Sequence, residues 1–442
     1  MPAQRSLPLE LSQPNGLRRR SFVAQSVAAC AALSAPALVR GQGTVVDLSV
    51  AYSIPVLFKD LLENVAKEFM AQNPNIRISY RAAEEGYEQI MQRNLRDAIT
   101  NSLPDVAFHG LNRQRTLQER NIPVNLKPFM DSDPKTKDLG FSPALLSLGQ
   151  VNGQQTGIGF AMSTPILYFN GNIVKEAGGD PGKLPTSWDD VVKLASAMHD
   201  PAKNRTGMFF DWTITGNWSW QGLVLSHGGT MLTADESKVA FGDAPGQRAM
   251  AVLRRFVDEG KMPDIRPETM FQDFFAGRMG MCMQSTAQLG RFNREIGGRF
   301  PLQCVRYPLS ATNARLPAGG NAAMMFTKDP ARQKAAWEFI KFATGPVGAT
   351  MMVKATGYMP GTTIPASRRD MLADFYAQNP NHLISIRQQD VITGWYAFPG
   401  QNALKITDVI NDHLQTLVSK KETPAAVLPR MSGDVQALLP KA

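Results

Sequence analysis

Apolar positions along the chain switch between two periods. Residues 45–51 form a short run of strand character. Over residues 56–72, Leu61, Val65 and Phe69 recur every fourth position, which predicts a helix with one apolar face, stopped at Asn73-Pro74. Ile76, Ile78 and Tyr80 then alternate as a strand does. Tyr87, Ile90, Met91, Leu95 and Ile99 mark a second amphipathic helix, and Leu103-Pro104-Asp105 leads into a strand at Val106-Ala107-Phe108. This β-α-β-α-β order predicts an α/β fold whose sheet is mostly parallel and covered by helices on both faces.

The alternation continues downstream. Residues 165–169 read as a strand and 173–177 as the start of a helix. Ser187 is placed as an N-cap, with Asp190 three residues on. Residues 271–276 are helical, 280–283 a strand, and the helix from Pro330 turns Ala336, Phe339, Ile340 and Ala343 inward. The last long helix is expected over residues 406–418. There is no internal repeat or low-complexity linker. At 442 residues the chain exceeds what one hydrophobic core serves, so two α/β units are expected.

The N-terminus has the order of a cleaved export signal. Arg18, Arg19 and Arg20 form a basic head, residues 27–33 a modestly apolar stretch, and Ala35 and Ala37 a small-residue site, so residues 1–42 are assigned as signal peptide. The spacing Arg19-Arg20-Ser21-Phe22-Val23 resembles the twin-arginine motif, whose cargo crosses the membrane folded. Val27-Ala28-Ala29-Cys30 loosely resembles a lipoprotein box, but the apolar stretch runs on past Cys30, which is read as a small residue of the signal. Beyond it no apolar run is long enough to cross a bilayer.

Composition narrows the partners. The net charge of +9 falls to about +5 without residues 1–42, and the excess is scattered. With no basic stripe interleaved with aromatics, nucleic acid is excluded as a partner. Cys282 and Cys304 remain, and an oxidising compartment permits a disulfide between them. Their apolar surroundings suit buried free thiols as well.

Several segments resemble the family 1 extracellular solute-binding proteins of ABC importers. They include Gly86-Tyr87-Glu88-Gln89, Ser163-Thr164-Pro165-Ile166-Leu167-Tyr168-Phe169-Asn170, Lys175-Glu176-Ala177-Gly178 and Pro185-Thr186-Ser187-Trp188. Phe275-Ala276-Gly277-Arg278-Met279-Gly280-Met281, Ala318-Gly319-Gly320-Asn321, residues 335–342 and Thr356-Gly357-Tyr358-Met359-Pro360 follow in order. The Tyr87 segment, Ser163-Thr164-Pro165 and Thr356-Gly357-Tyr358 are most similar to the glycerol-3-phosphate-binding subgroup. The resemblance implies a two-lobed, maltose-binding-protein-like fold of type II with the ligand in the cleft. It places the N-terminal lobe at residues 43–161 and 318–358 and the C-terminal lobe at 162–317 and 359–442. It further implies a periplasmic monomer, without cofactor or metal, that captures a sugar or polyol (glycerol-3-phosphate or a glycerophosphodiester included) and delivers it to an ABC permease.

A polyol needs polar groups at its hydroxyl edges and rings against its C–H face, in a cleft that excludes water. The candidates are Tyr87, Ser163, Thr164, Ser285, Gly320 and Tyr358 at the lobe crossings, with Asn402 near the end of the cleft lining. Gly319 and Gly320 allow close approach to the backbone. The N–H groups following Ser285 and Thr286 are candidates to open a helix toward the ligand. Trp212, Trp218 and Trp220, which do not read as a helix interior, supply one stacking platform; Trp395 and Tyr396 supply a second. Each of these tryptophans is equally suited to a core. One departure from the subgroup stands out. Residues 395–402 carry no arginine where the subgroup has its phosphate clamp, and Ala107-Phe108-His109-Gly110-Leu111-Asn112 carries no carboxylate. His109, Asn112, Arg113 and Arg115 are the available substitutes. The ligand expected is therefore a neutral or weakly anionic carbohydrate, with glycerol phosphate kept open.

Two other classes share parts of this pattern. For a periplasmic carbohydrate-active enzyme, none of the five histidines has metal-ligand spacing, there is no G-x-S-x-G, and Asp189-Asp190 reads as capping of a helix start. A ligand-sensing partner of a membrane receptor uses the same closure, and the sequence does not separate it from transport.

Overall fold

The computed structural model describes residues 45–441. The assigned export signal, with Cys30, lies outside the described residues. Nine strands build the two large sheets: β1 Val46–Ala51, β2 Ile76–Tyr80, β3 Val106–Gly110, β4 Ile158–Ser163, β5 Pro165–Asn170, β6 Thr206–Phe210, β7 Met279–Ser285, β8 Leu302–Arg306 and β9 Gly319–Met325. The first sheet has the order β2-β1-β3-β9-β4 and the second β8-β5-β7-β6. Each sheet is packed into its own apolar cluster. Phe58, Phe108, Phe160 and Phe339 centre the first, and Trp188, Phe210, Phe256 and Phe292 the second.

The expected mostly parallel sheet is corrected to a mixed one. β1 runs parallel to β2 and β3, but β9 is antiparallel to both β3 and β4. In the second sheet only β6 and β7 are parallel. The reason is topological: β9 is not the next strand of a βαβ series, but returns to the first sheet after the chain has built the second.

Those passages put the site between the two units. Thr164 alone separates β4 from β5, so one residue carries the chain from sheet to sheet. Its N–H donates to Thr286 Oγ1 at 3.1 Å, its carbonyl accepts from Thr286 N at 3.0 Å, and its hydroxyl accepts from Gln388 Nε2 at 2.7 Å. The return passes through Ala318 into Gly319. Met359 N donates to Met162 O at 2.7 Å within the first unit, and the chain stays on the first core through Leu372 and Tyr376 before a third passage brings Ile384 into the second.

Helices follow the apolar spacing. α1, Pro55–Gln72, and α2, Tyr87–Ile99, lie where the four-residue recurrence places them. Ser187 Oγ accepts from Asp190 N at 3.2 Å, the expected cap. Two expectations fail. Residues Trp218–Ser226 form a helix, with Trp218 and Trp220 both inside it. The last helix is Pro424–Leu438, not the one ending at Val418. Pro429 inside it reads as a break in the sequence, whereas the Thr423 cap and Pro424 at the first turn are sound start signals. Cys282 and Cys304 are free. Both pair with Tyr168, from opposite sides of β5, so an intervening strand holds them about 10 Å apart, beyond disulfide reach.

Candidate functional site

The carboxyl ends of strands from both sheets converge on one cavity of about 220 Å³. Tyr87 enters from the first turn of α2, Ser163 from the end of β4, Ser285 from the end of β7, and Gly319 and Gly320 from the start of β9. Tyr358 comes from the first unit, just after the helix Pro346–Ala355, and Trp218 and Trp395 from the second. Seven of the ten nominated positions thus line a single space. They are far apart in sequence and are drawn from both units.

The other three are placed elsewhere. Thr164 is buried beside the cavity, and its polar groups are occupied by Thr286 and Gln388. Trp220 is fully buried in the second core, edge-on to Phe241 at 6.1 Å. The three-tryptophan platform is therefore reduced to Trp218, since Trp212 also belongs to that core. Alternate positions of a helix point in different directions, so Trp218 faces the cavity and Trp220, two residues on, faces the core. Asn402 is exposed and donates to Leu438 O at 2.9 Å, tying down the last helix. The expected open N–H groups after Ser285 are also spent. Thr286 N donates to Thr164 O, and Ala287 N to Ser285 Oγ at 3.1 Å.

The aromatic walls hold one another. Trp395 lies 6.1 Å from Trp218 and 6.2 Å from Tyr87, between ring centroids. Trp218 Nε1 donates to Pro317 O at 3.1 Å, which fixes the indole against the return passage. Tyr358 stacks on Phe58 at 5.7 Å. Burial pushes the Tyr87 hydroxyl up to about 12, although Asn321 Nδ2 donates to it at 3.3 Å. Gly320 has φ +106, and a Cβ there would sit 1.9 Å from Ala161 O, so the expected close approach of backbone is required by the fold itself.

Sequence reasoning missed the polar floor. Asp211 and Gln284 line the cavity and are almost fully buried. Gln284 Nε2 donates to Asp211 Oδ2 at 2.5 Å, while Thr213 Oγ1 and N donate to Oδ1 at 2.7 and 3.2 Å. Burial, the largest influence, pushes the Asp211 carboxyl up to about 6, against the lowering effect of those donors. Asp211 follows β6 directly and Gln284 is the penultimate residue of β7, so the rule that open α/β sheets bind at strand carboxyl ends was the available signal.

The proposed cationic substitutes are not at the cavity. His109 is fully buried against Asn94, and burial pulls it down to about 3, so it is neutral. Arg113 is buried against Glu88, which also accepts from Thr215 Oγ1. Arg115 makes a two-pronged pair with Glu236 at 2.6 and 2.7 Å. Among the described residues no group of three His, Cys, Asp or Glu is placed to hold a metal, and no helix is long and apolar enough to cross a membrane.

Two sheets joined by crossing strands, with the site at the crossings, define the two-lobed periplasmic-binding-protein class. Solved members superpose over most of the chain. The cyclic α-maltosyl-1,6-maltose binding protein of Arthrobacter globiformis has a TM-score of 0.74 at 20% identity, covering 90% of this chain and 99% of that one. UgpB of Mycobacterium tuberculosis, in complex with glycerophosphocholine, has a TM-score of 0.77 at 17% identity, covering 90% and 98%. Residues 64–382 match the model of the bacterial extracellular solute-binding proteins, and the chain belongs to that family. Among characterised relatives, the sn-glycerol-3-phosphate-binding periplasmic protein UgpB of Pectobacterium atrosepticum is 21% identical over 428 residues, 94% of this chain and 95% of its own length.

Proposed function

We propose that this chain captures a sugar or polyol between its lobes and presents it to the membrane subunits of an ABC importer. The observation that carries this reading is the convergence of Tyr87, Ser163, Gly320 and Tyr358 from the first unit, and Trp218 and Ser285 from the second, on one aromatic-walled cavity. Side chains on separate units that jointly line a space are moved apart when the units swing, so occupancy is coupled to closure.

The lobes in this reading comprise residues 43–161 with 318–358, and 162–317 with 359–442, of which Leu372 and Tyr376 pack back into the first core. Residues 1–42 direct export by the twin-arginine route, and the mature chain works as a periplasmic monomer. The named ligands of the relatives, glycerol-3-phosphate, glycerophosphocholine and malto-oligosaccharides, delimit the first panel to test. The test is a thermal-shift screen of the mature chain against sugars, polyols and glycerophosphodiesters. A solute at a hundredfold excess over its Kd stabilises the folded state by about 2.7 kcal/mol, a readable rise in Tm. No rise with any of them refutes the reading.

A further inference from the structure

The charge and hydrogen-bonding character of the cavity go further than its shape, and the following rests on the solute-capture reading. We infer that the cavity takes a single neutral polyhydroxylated ring or short polyol and rejects phosphate, with Asp211 as the residue that decides between them.

The first observation is charge. Among the described residues no lysine or arginine lines the cavity, and its one carboxylate, Asp211, has no cationic partner; its ligands are a threonine and a glutamine. Arg291 lines a neighbouring cavity that shares Leu57 and Ala287 with this one, and its guanidinium lies 4.3 Å from the centroid of the Phe271 ring. The other arginines near the site, Arg113 and Arg115, are neutralised by Glu88 and Glu236. A negative charge set about 6 Å from the Asp211 carboxylate, at an effective dielectric of roughly 20, loses about a hundredfold in affinity. A phosphate would enter with no cationic side chain on the described wall to offset its charge.

The second observation is donor count. An ionised carboxylate offers about four acceptor positions. Thr213 and Gln284 use three on Asp211, leaving one directed at the ligand's needs. Gln288, also on the cavity wall, has a buried Oε1 without a donor. Such acceptors are satisfied by a ligand that brings O–H or N–H groups. The phosphate group of a monoester dianion brings acceptors alone, so only the hydroxyls of its polyol part can serve them. Meanwhile Trp218, Trp395 and Tyr358 offer apolar faces that suit the C–H side of a sugar ring.

The third observation is size. About 220 Å³ is the room of roughly seven waters, enough to seat one ring.

The experiment is isothermal titration of the mature protein with glucose, tagatose, inositol, maltose, sn-glycerol-3-phosphate and glycerophosphocholine. At least one of the first three is expected to bind at least a hundredfold more tightly than sn-glycerol-3-phosphate, and D211N to narrow that ratio to below tenfold. D211N is checked by circular dichroism; if it does not fold, the wild-type ratio decides. Comparable or tighter binding of sn-glycerol-3-phosphate or glycerophosphocholine by the wild-type protein, or tightest binding of maltose, overturns the inference and leaves solute capture standing. Silence from every probe overturns solute capture, and the inference with it.

Discussion

Removing the Arg115–Glu236 pair tests closure directly. Arg115 follows β3 in the first unit, and Glu236 follows the helix Trp218–Ser226 in the second, so the bond joins residues that part when the lobes open. The geometry is two-pronged, 2.6 and 2.7 Å, and Tyr396 donates a third hydrogen bond to Glu236 at 2.9 Å. Both side chains are partly exposed, at 22% and 33%, so solvent screens the pair and its worth is near the upper end for surface pairs, about 1 kcal/mol. That energy exists only in the closed state. Its loss in E236Q raises the apparent Kd about fivefold, chiefly through faster ligand release. Glutamine keeps the length of the side chain, so the loop bearing residue 236 is undisturbed. Titration calorimetry and stopped-flow release at 0.05 and 0.5 M salt read the effect. The wild-type protein is expected to lose affinity with salt, and E236Q to be nearly indifferent over the same range. Equal Kd values and equal salt slopes for the two proteins refute the reasoning.

Other perturbations separate core from site. W220A is expected to cost about 3–5 kcal/mol in urea unfolding, because a fully buried indole leaves a cavity in the second core. W395A is expected to weaken binding about tenfold at a smaller stability cost; a tolerated W220A refutes this division. G320A is expected not to accumulate as folded protein, since its Cβ would clash with Ala161 O; a wild-type Tm refutes this. Asp211 makes stability fall with rising pH. Its carboxyl titrates near 6 folded and near 3.8 unfolded, so between those values the folded chain holds a proton the unfolded chain has lost. The drop amounts to about 2 kcal/mol from pH 4 to 7, and D211N removes it when its unfolding free energy is compared with wild type across that range. Denatured mature protein is expected to titrate two thiols, and reductant to leave the native Tm unchanged.

Much of this protein is decided locally. The four-residue recurrence that places α1 and α2, the alternation at Ile76 to Tyr80, and the Ser187 cap arise from interactions within a few residues, so they are legible in the sequence. The passages between sheets at Ser163 and Gly320 were legible only through the resemblance to the family, since nothing in the periodicity marks where a chain changes sheets. What the sequence could not assign is the direction in which a side chain faces when both directions are apolar. Trp218 and Trp220 are the same residue type in the same helix, and only the packing of that helix between Phe241 and the crossing strands sends one to the core and the other to the cavity. Strand direction in the mixed sheets was likewise decided by the long return of β9. The same holds for Asp211, an ordinary aspartate in the chain, whose uncompensated burial exists only once β6 and β7 lie side by side. Short-range periodicity records local hydrogen bonding, whereas electrostatic environment and facing are properties of neighbours brought together from distant parts of the chain.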